Sequence, residues 1–195
     1  MTTIEKAQKD IVRDTKKHVI EVARRLFSEY SYLGVSMSDI AKKLNITKAA
    51  LYYHFTGKTE IYKKVLDEVF NNLNLSISQA LDGKTTEEKL QKLIRNYLDF
   101  GIKEKNLIKA LILKLPPANS QIKKHTAQLR EQTINLIQPL IKEIITSKKL
   151  VQMVESGLVT SLLIGIMDGL LLEYSFLNKK IDSKKISKQI IAVLF

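Results

Sequence analysis

Residues 36–58, SMSDIAKKLNITKAALYYHFTGK, contain the stretch that decides the fold. Ser36 followed by Asp39 three residues later is typical of a helix start, where the two side chains and backbone amides cap one another. Thr47 is a second N-cap residue, whose hydroxyl can satisfy an amide of the first turn. Between them, Leu44-Asn45-Ile46 predicts a tight turn. The stretch therefore predicts two short helices joined by a turn.

The second of these helices carries two adjacent tyrosines, Tyr52 and Tyr53. Neighbouring positions on a helix point about 100° apart, so the two rings cannot share one face. Leu51 and Phe55, four residues apart, are expected to bury one face against Ile40, Ala41, Leu44 and the preceding helix. The outward face then carries Lys48, Ala49, Tyr52, Tyr53 and His54.

A short helix, a turn and a second short helix form a helix-turn-helix, whose second helix enters the DNA major groove. Small residues such as Ala49 and Ala50 let the backbone approach the groove and can touch thymine methyl groups. Lys48 can donate to guanine or to a phosphate, and tyrosine hydroxyls and His54 suit phosphate oxygens. Lys58 is expected at a helix N-terminus, where free amides already favour a phosphate.

Three segments in this order, VIEVARRLF, SMSDIAKKLNITKAALYYHF and GKTEIY, resemble the DNA-binding domain of the TetR family of bacterial and archaeal transcriptional regulators. The resemblance runs from about His18 to Tyr62. Family members often have Gly where Asn45 stands, and Asn also tolerates the left-handed conformation of such a turn. The resemblance implies DNA contacts from Ser36, Met37, Ser38, Thr47, Lys48, Ala49, Ala50, Tyr52, Tyr53, His54 and Lys58.

Composition is compatible with this function. The chain has 195 residues, is 45% hydrophobic and has a formal net charge of +12, which favours an anionic partner. The absence of Cys excludes disulfides, thiol catalysis and Cys-based zinc sites. The N-terminus is polar and unlike a signal peptide, and the most apolar run, 157–172, is too short and too polar to predict a membrane span. We therefore expect a cytoplasmic protein with no membrane partner.

The rest of the chain is also predicted to be helical, because apolar residues recur at helical spacing and no hairpin signal separates alternating runs. Gly34 is expected to end the first helix, and Pro139 to kink or interrupt a later one. The predicted fold is all-α, with an N-terminal helix-turn-helix domain at 1–60 and a larger helical ligand-binding and dimerisation domain at 61–195. Helices beyond residue 57 are expected over 58–81, 86–103, 105–114, 120–146, 150–178 and 184–195.

The second domain contains more apolar surface than a DNA anchor requires. Its segment LVTSLLIGIMDGLLLEYSFL, residues 158–177, is apolar nearly all round, and Gly165 and Gly169 allow a close helix approach. The resemblance implies that the last two long helices pair across a two-fold axis, which makes a homodimer. Because two recognition helices must then meet successive major grooves roughly 34 Å apart, the expected partner is double-stranded DNA with a palindromic operator.

The resemblance further implies a pocket for a small-molecule effector, which shifts the population between two arrangements of the DNA-binding heads. An apolar or aromatic effector is expected from the character of the candidate residues, although ordinary core packing explains each of them as well. The candidates are Tyr97, Phe100, Leu107, Leu111, Met153, Leu163, Met167 and Tyr174. Asp168, in the same apolar run, is interpreted either as a catalytic or ligand-binding carboxylate, or as one that is hydrogen-bonded at an interface or points to solvent.

Catalytic patterns are incomplete. Thr56-Gly57-Lys58-Thr59 ends like a P-loop, but that motif needs Gly at position 52, which is Tyr. There is no G-x-S-x-G motif, and His18, His54 and His125 have no metal-ligand spacing. The sequence thus predicts no enzyme, no cofactor and no metal, and favours a transcriptional repressor released by its effector. The alternatives are an all-helical protein interaction module that no longer binds DNA and a protein on anionic membrane surfaces.

Overall fold

The computed structural model describes residues 3–104, 106, 119–148 and 154–194, with the backbone alone for residues 3–14. In these ranges the regular secondary structure is entirely helical, which confirms the all-α prediction. The helices are α1 Thr3–Tyr30, α2 Met37–Lys43, α3 Lys48–His54, α4 Lys58–Ala80, α5 Thr86–Lys103, α6 Ser120–Ser147, α7 Ser156–Phe176 and α8 Ser183–Leu194.

The chain folds as two compact units. The first unit comprises the described residues of Met1–Glu68 and Asn106–His125, and the second those of Val69–Lys105 and Thr126–Phe195. Helices α4 and α6 each contribute to both units. The sequence predicted a boundary at residue 60 between a DNA-binding domain and a ligand-binding and dimerisation domain. That functional boundary stays a prediction.

The core of the first unit is built around three aromatic rings. Tyr62 meets Phe27 and Tyr32 edge-on, each at 4.9 Å between ring centroids. The Tyr62 hydroxyl is buried without a hydrogen-bond partner, and burial raises the pKa of Tyr62 to about 12. Helix α2 packs on α1 and α3, and of its predicted apolar stripe Ile40 and Ala41 are buried and Leu44 is half-buried.

The core of the second unit forms where α5 packs against α7 and α8. Leu93, Ile94 and Leu98 of α5 are fully buried in it. Gly101, also on α5, lies so close to α7 that a Cβ atom there would overlap the side chain of Leu171. The helices can approach this closely only because the position has no side chain.

The first helix does not end as predicted at Gly34. It ends at Tyr30, and Ser31 adopts a left-handed backbone with φ 62° while its amide donates to the Phe27 carbonyl at 3.0 Å. Gly34 instead has φ outside the left-handed region, and a Cβ atom there would overlap the Tyr30 carbonyl. The glycine is therefore explained by space rather than by a left-handed cap. Asn45 has φ 56°, as expected for its turn.

Two expectations about the later helices are corrected. Pro139 lies inside α6 without interrupting it, so of the predicted kink or interruption only the interruption is wrong, and the kink stays a prediction. The predicted start at residue 150 is wrong, since residues 154 and 155 are not helical and α7 begins at Ser156. The helix predicted over 105–114 falls almost wholly outside the described residues.

Helix α7 has an open apolar stripe, defined by Leu158, Leu162, Gly165, Gly169 and Phe176. These residues follow one another at spacings of four, three, four and seven, so they share one face of the helix. The three large side chains are exposed, and no atom lies within 4 Å of a Cβ built on either glycine. Among the described helices, α7 is also the one long and apolar enough to span a membrane, a test that core helices of soluble proteins pass too.

Candidate nucleic-acid interface

The two short helices begin at the caps that the sequence predicts. The Ser36 hydroxyl accepts the Asp39 amide at 3.2 Å, and Asp39 Oδ2 accepts both the amide and the hydroxyl of Ser36 at 2.8 and 2.6 Å. The Thr47 hydroxyl accepts the Ala50 amide at 3.0 Å. These local hydrogen bonds set the direction of α2 and α3, each of which has seven residues.

Helix α3 is anchored by one face and open on the other. Leu51 is fully buried and Phe55, just after the helix, is 3% exposed. Tyr53 is 82% exposed and Tyr52 48%, so both rings are available to a partner. The exposed members of the predicted set on this surface are Thr47, Lys48, Ala49, Ala50, Tyr52 and Tyr53, with His54 half-buried.

The aromatic and basic groups on this surface contact one another. The Lys48 ammonium lies 5.9 Å from the centre of the Tyr52 ring, and the rings of Tyr53 and His54 meet edge-on at 5.1 Å. Such contacts limit the rotamers of these side chains, so less conformational entropy is lost when they bind a partner. The surface thus presents an ammonium, two phenols and an imidazole around two alanines.

The three predicted contact residues at the start of α2 differ in exposure. Ser36 and Ser38 are exposed, and the hydroxyl of Ser36 is already hydrogen-bonded to Asp39. Met37 is only 7% exposed, so its side chain packs into the first unit instead of facing a partner. The resemblance placed Met37 among the contacts, and its side chain reaches DNA only if it leaves this packing.

Lys58, at the first position of α4, is held by the turn that follows α1. Its ammonium donates to the Tyr32 carbonyl at 2.9 Å and lies 4.3 Å from the centre of the Tyr32 ring. Burial lowers the pKa of Lys58, and the charge of Asp39 opposes that shift. An ammonium has three donors, so the hydrogen bond to Tyr32 leaves others for a phosphate.

Lys16 of α1 also joins this region. Its ammonium lies 5.8 Å from the centre of the Phe55 ring, at the end of α3. The two residues are far apart in sequence, and no local pattern connects them. Only the tertiary packing of the first unit brings this positive charge to the end of the candidate recognition helix.

The candidate effector residues divide into three groups. Tyr97, Leu163 and Met167 belong to the core of the second unit, and Phe100 and Tyr174 pack half-buried against it. Leu107, Leu111 and Met153 lie outside the described residues. None of the five described candidates lines the cleft of the first unit that is bordered by Thr56, Lys58 and His125, whose volume is about 480 Å³.

Asp168 is hydrogen-bonded inside the second unit. The Tyr97 hydroxyl donates to its Oδ1 at 2.7 Å, and the Arg130 guanidinium donates to its Oδ2 at 2.9 Å. Burial, then the neighbouring carboxylate, raises the pKa of Tyr97 well above its ordinary value. Asp168 thus joins α5, α6 and α7 by hydrogen bonds, which agrees with its interpretation as a hydrogen-bonded carboxylate.

Comparison with known proteins connects this geometry to a family. The profile described as bacterial regulatory proteins, tetR family, matches residues 19–65, and that of the YsiA-like protein, C-terminal region, matches residues 62–195. The chain belongs to the TetR family. This TetR-family protein is a DNA-binding transcriptional regulator, and α3 is the second helix of its helix-turn-helix.

The relatives of this TetR-family protein are regulators. The biofilm operon icaADBC HTH-type negative transcriptional regulator IcaR of Staphylococcus epidermidis is 34% identical over 129 residues, 65% of this chain and 68% of that protein. IcaR of Staphylococcus aureus strain Newman is 48% identical over 59 residues, 30% of this chain and 32% of that protein.

Solved structures of other regulators share the fold. The fatty acid degradation regulator FadR from Bacillus halodurans has a TM-score of 0.79 at 20% identity, covering 92% of this chain and 93% of that one. FadR from Bacillus subtilis in complex with stearoyl-CoA has a TM-score of 0.78 at 19% identity, and the match covers 90% of this chain and 95% of that one. At these identities the likeness shows the fold alone.

Proposed function

We propose that this TetR-family regulator is a homodimeric repressor that binds a palindromic operator and is released by a small, largely apolar effector. The observation that carries the proposal is the exposed face of α3, where Tyr52 and Tyr53 stand in solvent on a helix anchored by Leu51. Solvent-exposed aromatic residues flanked by lysine serve no purpose in the packing of the first unit. They are explained if the surface is covered by a partner with phosphates.

In this proposal Ala49 and Ala50 approach base edges, because they are exposed and small at the start of α3. Lys48, Tyr52, Tyr53 and His54 hold phosphates on either side of the groove. Ser36 and Ser38 at the start of α2, and Lys58 with the amides of α4, add further phosphate contacts. Thr47 both caps α3 and faces the same surface.

The proposed dimer is formed by the open apolar stripe of α7, including Gly165 and Gly169, together with α8. A continuous apolar face of this kind is unusual on a monomer. Two glycines with open space beside them allow two copies of α7 to approach closely. The exposed Val193 of α8 extends the same kind of surface. Membership of the family favours a second copy as the partner.

The proposed effector binds in the second unit near Tyr97, Phe100, Leu163, Met167 and Tyr174. These residues combine apolar side chains with one buried polar point, the Tyr97 hydroxyl on Asp168. The stearoyl-CoA bound to Bacillus subtilis FadR makes a long-chain acyl thioester the first compound to test. Repression is favoured by the similarity to IcaR, which is a negative transcriptional regulator. A cytoplasmic location accompanies this role.

Selection from a random duplex library, followed by gel-shift titration, tests the proposal. We expect a palindromic sequence to be recovered, bound by the dimer with an affinity that falls steeply with salt because phosphate contacts release counterions. Stearoyl-CoA, with free coenzyme A as its control, is expected to raise the dissociation constant of the complex. Recovery of no specific duplex would contradict the proposed function and favour the protein interaction module.

A further inference from the structure

Helices α4 and α6 both pass from the first unit into the second. The first unit ends at Glu68 on α4 and at His125 on α6. A side-chain hydrogen bond joins the two helices at this point: Nε2 of His125 donates to Oδ1 of Asp67 at 2.6 Å. We call Asp67 and His125 the junction pair. It joins the two helices where both leave the DNA-binding unit.

The junction pair is held in a restricted position. The side chains of His125 and Asp67 are only 19% and 29% exposed. The other carboxylate oxygen of Asp67, Oδ2, accepts from the Lys64 ammonium at 3.5 Å. Because both oxygens have partners and water has limited access, the carboxylate has a fixed orientation. A hydrogen bond with a charged acceptor in such surroundings is stronger than an ordinary one.

A second set of hydrogen bonds holds the start of α6 on the DNA-binding helices. Asn119 Oδ1 accepts the Ile122 amide at 3.1 Å, and its Nδ2 donates to the Tyr32 and Thr59 hydroxyls, each at 3.4 Å. Those two hydroxyls are 2.8 Å apart. Residues 119–125 of α6 are therefore attached at both ends, by Asn119 and by His125, to elements of the first unit.

We propose that the junction pair makes α4 and α6 a single brace for the DNA-binding unit and thereby sets which half-site separation the dimer accepts. The inference rests on the proposed function. One continuous helix can bend and twist where it leaves a unit, whereas two helices joined side by side resist both motions. One base pair of extra separation moves a half-site by about 3.4 Å and rotates it by about 35°, so a braced dimer discriminates between separations.

The test uses the operator recovered by selection. Gel-shift dissociation constants are measured for the native duplex, for duplexes with one base pair removed or added between the half-sites, and for a single half-site. The variants are His125→Phe, which keeps a ring and removes both nitrogens, and Asp67→Leu, which keeps the approximate shape. The matched control is Gln121→Ala, because Gln121 is exposed and lines the same cleft as the pair.

For the wild type and Gln121→Ala, the dissociation constant is expected to be at least about tenfold lower for the native separation than for either altered one. This ratio corresponds to the free energy of one charge-assisted hydrogen bond. In His125→Phe and Asp67→Leu that preference is expected to fall to about twofold, while single half-site affinity stays within about twofold of wild type. The variant that carries both His125→Phe and Asp67→Leu should have the same separation preference as either single variant. Asp67→Asn, which retains a neutral hydrogen bond, should keep part of the preference.

Two results overturn the inference while the wild type still binds its operator. One is an unchanged separation preference in both His125→Phe and Asp67→Leu. The other is an equal loss on the half-site and on all full operators, which would mean that the pair only supports folding of the DNA-binding unit. Circular dichroism and light scattering establish that each variant is folded and dimeric. A wild type that binds no duplex instead refutes the proposed function, and the inference with it.

Discussion

Tyr52 and Tyr53 are neighbours in sequence, but the fold uses their rings differently. Tyr52 is 48% exposed and its ring contacts the Lys48 ammonium. Tyr53 is 82% exposed and its ring meets the His54 ring edge-on. The more exposed ring has little to contribute to folding. Its contribution is therefore expected to be visible in DNA binding alone.

Replacing Tyr53 with Ala is expected to weaken operator binding by about tenfold, since one hydrogen bond to a charged phosphate is lost. Because the side chain is exposed, the free energy of unfolding should change by less than about 0.5 kcal/mol. Gel-shift titration and urea unfolding measure the two quantities. Leu75→Ala, at an exposed apolar residue of α4, is the control. Unchanged operator affinity in Tyr53→Ala would argue against this residue as a contact.

Asp39 contributes to the stability of α2 in a way that depends on pH. Hydrogen bonds from the Ser36 side chain and backbone lower the pKa of Asp39 below its ordinary value of 3.8. The folded state therefore favours the carboxylate. Its stabilising contribution is fully present above pH 3.8 and is lost as the pH falls through the lower folded pKa.

The predicted measurement is a carbon-13 titration of the Asp39 carboxyl group. We expect a pKa below 3.8 in the wild type and a return toward 3.8 in Ser36→Ala, because the largest cause of the shift is then removed. Ser38→Ala, next to the cap but outside it, serves as the matched control. An equal pKa in Ser36→Ala and wild type would show that the capping hydrogen bonds are not responsible.

At the scale of elements, α3 illustrates how a short helix persists. Seven residues are too few for an isolated helix in water, so α3 depends on its cap and on the burial of Leu51. The cap was predictable from the sequence, because Thr47 and the Ala50 amide are three residues apart. Burial was predictable as a pattern, although its depth depends on α1 and α2.

Thr47→Ala is expected to destabilise α3 by about 1 kcal/mol, since the Ala50 amide loses its acceptor. Hydrogen exchange in a peptide covering residues 47–55 should then be about fivefold faster. Thr47→Asn keeps an oxygen that can accept the same amide, and its exchange should resemble wild type. If both variants exchanged alike, the side-chain cap would not be what holds the start of α3.

At the scale of the whole molecule, the open apolar stripe of α7 is the proposed interface between two copies of the chain. Leu162 is 51% exposed and lies between Leu158 and Gly165 on that stripe. Across a two-fold axis the same surface meets itself, so one substitution acts twice. The stripe therefore offers a direct test of the dimer.

Leu162→Glu is expected to raise the dimer dissociation constant by about 100-fold or more, because two like charges would be buried together without partners. Operator affinity should fall with it, while the helical content is retained. Analytical ultracentrifugation measures the dimer. Leu75→Glu makes the same change at an exposed leucine outside the stripe and should leave the dimer intact. A Leu162→Glu protein as dimeric as wild type would place the interface elsewhere.

The sequence by itself determined the features that depend on near neighbours: the caps at Ser36 and Thr47, the turn at Asn45, and the buried and exposed faces of α3. Each rests on contacts within about four residues, which helix geometry dictates. The end of α1 was missed, because Gly34 is explained by its closeness to the Tyr30 carbonyl and not by the backbone freedom that a glycine suggests.

Only the tertiary structure decided which distant side chains meet. It turned Lys58 toward the Tyr32 carbonyl, brought His125 onto Asp67 and placed Tyr97 and Arg130 on Asp168. These partners come from different parts of the fold and are separated by 26 to 71 residues in the chain. No periodic pattern records such pairs, because they follow from the packing of whole helices, which depends on the complete set of buried side chains.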